Sequence, residues 1–211
     1  MKAVVLAGLD RHWEKKNRLG KELERKGIDA IIVNGRIGVH DSMLELNEML
    51  EGIGLNRILA VSSGTEDETA ALYLKAKNIL LHKERKKFGN YWLAGIGGTH
   101  AENFSNNTVT EQEIRNSFRE IVDERTIVFT QLAPKNTRID SGLNGRHNGS
   151  TALRAAIEEK KPLFCISNNP LNENEENLVN ETVCINTGAF RAGEALLLDL
   201  NEEIHYRKIK I

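Results

Sequence analysis

Acids and imidazoles in this sequence gather in close pairs beside apolar runs. Asp10 and His12 follow "KAVVLAG" (2–8), His40 and Asp41 follow "IDAIIVNG" (28–35), and Glu66 and Asp67 follow "NRILAVSSG" (56–64). Arg146 and His147 stand just before "NGSTALRAAIEEKK" (148–161). Carboxylate and imidazole are strong ligands for divalent ions, and both can move a proton. Each pair also has an ordinary reading. Asp10 and His12 are either a single-metal site or a solvated loop pair. Asp41 is either a ligand or the cap of the helix that follows it. Glu66 and Asp67 are either ligands or acids of a first helical turn. Arg146 and His147, with Gly149 and Ser150, either hold an anion at a helix start or belong to that helix's cap. One strand mouth is different. "PLFCISNNPLNENEE" (162–176) runs from an apolar stretch into a loop with four asparagines. Amides hydrogen-bond in both directions, but they hold divalent ions weakly and do not shuttle protons.

The elements that position these groups follow from periodicity. Strands are expected at 2–8, 28–35 and 56–64, alternating with helices at 14–27, 42–54 and 66–76. Gly27 closes the first helix. Three βα units with short connections predict a mainly parallel sheet. The segments 78–82, 86–89 and 91–98 are short and closely spaced, and read as antiparallel strands. A helix at 110–124 opens with Thr110 and Glu113 at capping-box spacing. A strand at 125–132, a helix at 148–161 and a strand at 162–167 follow. Strands at 181–188, 193–200 and 203–211 close the chain. This order predicts two mixed sheets face to face with helices outside, a four-layer α/β/β/α sandwich. It is expected as a single domain over 1–211.

Composition bounds the function classes. The chain has 211 residues, 29 basic and 30 acidic, for a formal net charge of −1. Neither nucleic acid nor a membrane surface is an expected partner of so balanced a protein. The basic run "HKERKK" (82–87) is expected to be a solvated turn. No apolar run approaches spanning length, and Met1–Asp10 lacks a signal-peptide pattern, so a cytoplasmic location is expected. Cys165 and Cys184 lie inside apolar runs and read as buried free thiols. No CxxC or CxxH spacing supports a structural zinc site. Trp13 and Trp92 read either as packing residues or, if exposed, as partner contacts.

Several fragments together resemble the calcineurin-like metallophosphoesterases, in particular small single-domain prokaryotic predicted phosphoesterases. They are "GIGGT" (95–99), "APKNTRIDSGLNGRHNGSTALRAAIEEKKPL" (133–163), "INTG" (185–188) and "AGEALLLDL" (192–200). The resemblance implies two metal ions about 4 Å apart that activate a water and stabilise phosphoryl charge. It also implies five ligand signatures, and this sequence departs from nearly all of them. The first, Asp-x-His, meets Gly8-Leu9-Asp10, or Asp10-Arg11-His12 two residues late. The second, Gly-Asp with the bridging carboxylate, meets Gly35-Arg36. The third, which carries an asparagine ligand, meets Ser63-Gly64-Thr65-Glu66. The fourth, a histidine, meets Gln131. The fifth, a histidine pair, meets Asn169 and Leu171, or Pro170 and Asn172 after a one-residue slide.

A cation at position 36 would repel a metal pair by about 4 kcal/mol per contact at ~4 Å and an effective dielectric of ~20. The expected function is therefore a catalytically silent relative that acts by binding or assembly, with no cofactor. Its partner would be another protein or a small anionic ligand held by Arg36, Gln131, Arg146, His147 and Asn169, and a homo-oligomer is possible. The alternative is a phosphoesterase with a rearranged site on Mn or another divalent metal, built from Asp10, His12, Asp41, Glu66 and His147.

Overall fold

The computed structural model describes residues 1–9, 16–37, 43–53, 58–63, 68–100, 108–142, 145–169, 175–187, 193–201 and 204–210. Three βα pairs come first: β1 (Lys2–Leu6) with α1 (Lys16–Arg25), β2 (Ala30–Asn34) with α2 (Met43–Ile53), and β3 (Ile58–Val61) with α3 (Glu68–Ala76). Next come β4 (Glu84–Phe88), β5 (Tyr91–Ile96), the short β6 (Thr99–His100) and β7 (Thr108–Val109), α4 (Glu111–Ile121) and β8 (Thr126–Thr130). A 3-10 turn at Arg138–Asp140 precedes α5 (Thr151–Lys160) and β9 (Phe164–Ser167). The chain ends with β10 (Glu176–Val179), β11 (Thr182–Asn186), β12 (Glu194–Leu200) and β13 (Ile204–Lys210).

The period-two alternation of the strands builds the layers. One sheet has the order β13-β12-β1-β2-β3 and the other β10-β11-β9-β8-β5-β4. Ala3, Val5, Ala30 and Ile32 of the first sheet meet Ile127, Phe129, Phe164 and Ile166 of the second in one buried cluster between the sheets. The intervening residues Val4, Leu6, Ile31 and Val33 face outward and pack with Leu23, Leu46, Leu50 and Leu74 of α1–α3. Val128, Cys165 and Cys184 do the same with Ile114 and Phe118 of α4 and Leu153 and Ile157 of α5. The expected α/β/β/α sandwich of two mixed sheets is the observed architecture. Strands β1, β2 and β3 run parallel, as do β5, β8, β9 and β11.

Residues 78–82 differ from expectation. They are not an antiparallel strand: Leu80 makes one isolated parallel bridge to Ala60. This segment crosses from one sheet to the other. Ala60 N donates to Ile79 O at 2.9 Å, Leu81 N to Ala60 O at 2.7 Å, and Lys83 N to Gly95 O at 2.8 Å. A chain bound first to one sheet and then to the other cannot build a regular ladder. The basic run belongs largely to β4, which pairs antiparallel with β5. Two of its cations have local partners: Lys83 with Glu113 at 2.7 Å and Arg85 with Asp123 at 2.9 Å. Arg85 also lies 4.3 Å from the centre of the half-buried Trp92 ring. Charges along an edge strand discourage pairing with other chains. Among the described residues, no helix is long and apolar enough to cross a membrane.

Cys165 and Cys184 are fully buried free thiols, as expected. They are also direct register partners on neighbouring parallel strands. The hydrogen bond with Cys184, followed by burial, pushes the Cys165 thiol well above its ordinary range.

The capping box on α4 is present. Glu113 N donates to Thr110 Oγ1 at 3.2 Å, and Thr110 N donates to Glu113 Oε2 at 2.9 Å. The Lys83 contact and then the cap bonds lower the Glu113 carboxyl to about 2 from its ordinary 4.5. The folded state therefore holds fewer protons than the unfolded state between those values. The contribution is complete above pH 4.5 and fades as pH falls toward 2. The side chain is exposed, so solvent keeps it modest. Glu113→Ala is expected to cost about 1 kcal/mol at neutral pH in urea unfolding, with a smaller difference from wild type under acid conditions.

Candidate functional site

The parallel strands of both sheets end on one side of the molecule. Asn34 at the end of β2 keeps the parity of Ile32, so its side chain enters the layer between the sheets. It is fully buried. Its Nδ2 donates to Thr130 O at 3.2 Å and to Ile166 O at 3.0 Å, both on the opposite sheet. Two carbonyl acceptors require the nitrogen on that side, so Oδ1 faces the other way. There it accepts from Gln131 Nε2 at 3.0 Å. Asn168 Nδ2 donates to Asn34 O at 2.9 Å and reaches Gln131 Oε1 at 3.4 Å. Asn34, Gln131 and Asn168 thus form a triangle of amides across the strand mouths.

The backbone around the triangle is close-packed. Gly35 has φ +144°, and a Cβ there would lie 2.4 Å from Asn168 Nδ2. Leu9 N donates to Arg36 O at 2.6 Å, tying the ends of β1 and β2 together. Arg36 is half-buried. Beside the triangle, Asn169 N donates to Asn186 Oδ1 at 2.8 Å, and Asn186 Nδ2 returns a bond to Asn169 O at 2.6 Å. Asn169 Nδ2 then clasps the 3-10 turn through Ile139 O at 2.9 Å.

His147 is placed by that turn. Its Nδ1 lies 2.5 Å from Asp140 Oδ1, and the carboxylate side chain is fully buried while the imidazole is 44 % exposed. Asp140 also accepts from Asn136 N at 2.8 Å and Thr137 N at 3.2 Å. Gly149 packs against this carboxylate with no room for a Cβ, which would lie 2.7 Å from Oδ2. Arg146 is exposed on the same loop. The start of α5 is already occupied. Ser150 Oγ accepts from Leu153 N at 3.0 Å, and Glu111 Oε2 accepts from Ala152 N and from Thr151 Oγ1. A carboxylate of this protein fills the position where the sequence suggested an external anion.

Of the sequence candidates, Gln131 lies in the amide triangle, Asn169 beside it, Arg36 one residue beyond Gly35, and His147 with Arg146 on the loop clasped by Asn169. Asp10, His12, Asp41 and Glu66 lie outside the described residues, as do Arg11, Trp13 and His40. Four residues of the site were not among the sequence candidates: Asn34, Asn168, Asn186 and Asp140. The signal for Asn34 was one polar residue at an inward position closing a wholly apolar strand. Asn186 gives the same signal in "INTG".

No protein-family model matches the sequence, and no curated protein matches it. Solved structures do match. TT1561 of Thermus thermophilus superposes with a TM-score of 0.70 at 15 % identity, covering 99 % of this chain and 98 % of that one. A hypothetical protein of the same organism gives 0.63 at 10 % identity, over 100 % and 99 %. A dimetal phosphatase from Danio rerio gives 0.62 at 8 % identity, over 100 % and 96 %. The fold is that of the calcineurin-like metallophosphoesterases.

The described residues do not fit the dinuclear metal centre implied by this resemblance. The side-chain N–H groups of Asn34, Gln131 and Asn168 are committed to oxygens of the protein, and an amide holds a divalent ion far more weakly than imidazole or carboxylate. The amide oxygens of Asn34 and Gln131 already accept hydrogen bonds. Arg36, next to Gly35 at the end of β2, carries a fixed positive charge. Among the described residues, no group of three or more His, Cys, Asp or Glu could hold a metal ion.

Proposed function

We propose that this protein uses the metallophosphoesterase fold as a binding module without phosphoesterase chemistry. The observation that carries the reading is the triangle Asn34–Gln131–Asn168, which joins the two sheets through hydrogen bonds at the strand mouths. Two-metal hydrolysis needs anionic and imidazole ligands to gather two cations and activate a water. An amide network satisfies its own polar groups and leaves a rim suited to recognition by hydrogen bonds and charge. On that rim stand Arg36, Asn169, Arg146 and the Asp140-oriented His147. The ligand class that this chemistry favours is a small anion or an acidic segment of a partner protein.

Two measurements test the reading. Protein purified after Mn²⁺ supplementation should hold clearly substoichiometric metal by elemental mass spectrometry, and should not hydrolyse an aryl phosphodiester. Near two ions per chain with turnover would instead support a rearranged phosphoesterase site drawing on Asp10, His12, Asp41, Glu66 and His147. Separately, inorganic phosphate should raise the melting temperature of the wild type, and Arg36→Ala should abolish the rise. Persistence of the full shift in Arg36→Ala would remove that residue from the binding surface.

A further inference from the structure

The crossing segment at 79–83 and the glycine turn after β5 form a closed circuit between the two sheets. Leu81 N is bound to Ala60 O on β3, and Lys83 N to Gly95 O on β5. Lys83 has φ +56°, a left-handed conformation that bends the chain at this point. His82, half-buried between these two anchors, accepts a hydrogen bond at Nδ1 from Gly97 N at 3.2 Å. The next amide, Gly98 N, donates to Ser62 O at 3.1 Å, just beyond the end of β3. A Cβ on Gly97 would lie 2.4 Å from that same Ser62 O. The circuit therefore runs from β3 through residues 79–83 to His82, on to Gly97 and Gly98, and back to Ser62.

One link in it can be broken by a proton. Nδ1 accepts only in the neutral ring carrying its hydrogen on Nε2, and an imidazolium has no acceptor. Gly97 is buried, so its N–H would then lack a partner away from water. We infer that His82 is a proton-operated clasp on the Gly97–Gly98 turn, closed when the ring is neutral and released when it is protonated. The charged groups facing the ring are Lys83 and Glu84 from its own segment and Glu113 from α4. Burial, with Lys83 adding to it, favours the neutral ring, and the two acids oppose it. The folded state holds fewer protons than the unfolded chain below pH 6.5. The clasp is therefore closed above that pH and weakens as pH falls through the ring's lower, folded value.

Hydrogen exchange of the Gly97 amide, followed by NMR from about pH 5 to about pH 8 and corrected for intrinsic exchange, tests this. In the wild type, the protection factor should be level at the alkaline end. Once the ring titrates it should fall up to about tenfold per pH unit, the slope for uptake of one proton. Leu93 and Ala94 in β5 should stay protected and report an intact sheet. His82→Asn puts a carbonyl oxygen near the position of Nδ1 and does not titrate, so its profile should be protected and flat. His82→Ala should be poorly protected throughout. A flat wild-type profile would overturn the clasp. So would a fall that persists in His82→Asn, because it would assign the titration to a group other than this ring. If His82→Ala fails to fold, the wild type and His82→Asn still decide.

Discussion

Asn34→Asp is expected to destabilise the protein by about 3–5 kcal/mol at neutral pH, the range for leaving a buried charge uncompensated. The native side chain is fully buried and donates to Thr130 O and Ile166 O. A carboxylate has the same shape but no hydrogen to give. Its oxygen would face two carbonyl oxygens inside the layer between the sheets. The penalty should shrink on acidification, and the sign can be stated. Burial and the two carbonyls raise the introduced carboxyl above its ordinary value. The folded variant therefore binds a proton more readily than its unfolded chain, and relative stability rises as pH falls. Urea unfolding of the variant and the wild type at neutral and mildly acidic pH would show both effects. A loss below about 1 kcal/mol, the worth of an ordinary hydrogen bond, would mean the amide triangle is not what joins the strand mouths. Asn168→Asp should cost less, about 1 kcal/mol, because that residue is half-exposed and water can hydrate the charge.

Gly97→Ala should be the next largest loss, about 3 kcal/mol, the upper end for forcing one methyl group into a packed interior. Its Cβ would lie 2.4 Å from Ser62 O, 3.1 Å from Ser62 N and 3.2 Å from Ser62 C. All three atoms are backbone, one residue beyond β3 of the other sheet, so no side-chain rotation relieves the contact. The sheets would have to separate at the mouth, and the Gly98 to Ser62 bond would lengthen with them. Gly145→Ala is the informative contrast. No described residue lies within 4 Å of its added methyl group, and its φ of +69° resists the change. That backbone cost is about 1 kcal/mol. If the two substitutions lower the urea midpoint equally, close approach of the sheets is not what requires glycine at position 97.

The amide loop "SNNPLNEN" shows how far single-sequence reading reaches at a site. Its poverty in ligands is a matter of residue type, and it was legible at once. Which amide matters was not. Counting from "INTG" selects Asn169, whereas Asn168 enters the triangle and Asn169 clasps the neighbouring turn. One residue of difference along an extended chain turns a side chain to the opposite face. His147 was read with the helix that follows it, yet its partner Asp140 lies seven positions earlier, within the same loop. The start of α5 reads either as an anion site or as a cap: Ser150 caps it, and Glu111, 41 positions away from Ala152, stands where the anion would.

The sequence by itself determined the layers, the parallel run of β1, β2 and β3, and the α4 cap. These depend on periods of two and of about four residues, on turn lengths and on a three-residue spacing, all of which are local. Only the tertiary structure decided what stands at the strand mouths. Gln131 and Asn34 are 97 positions apart, and Asn168 and Asn34 are 134 apart. Their bonds exist because two sheets, each closed by its own apolar alternation, bring unrelated strand ends within hydrogen-bond reach. A hydrogen bond is decided over a few tenths of an ångström, and no periodicity along the chain carries that information.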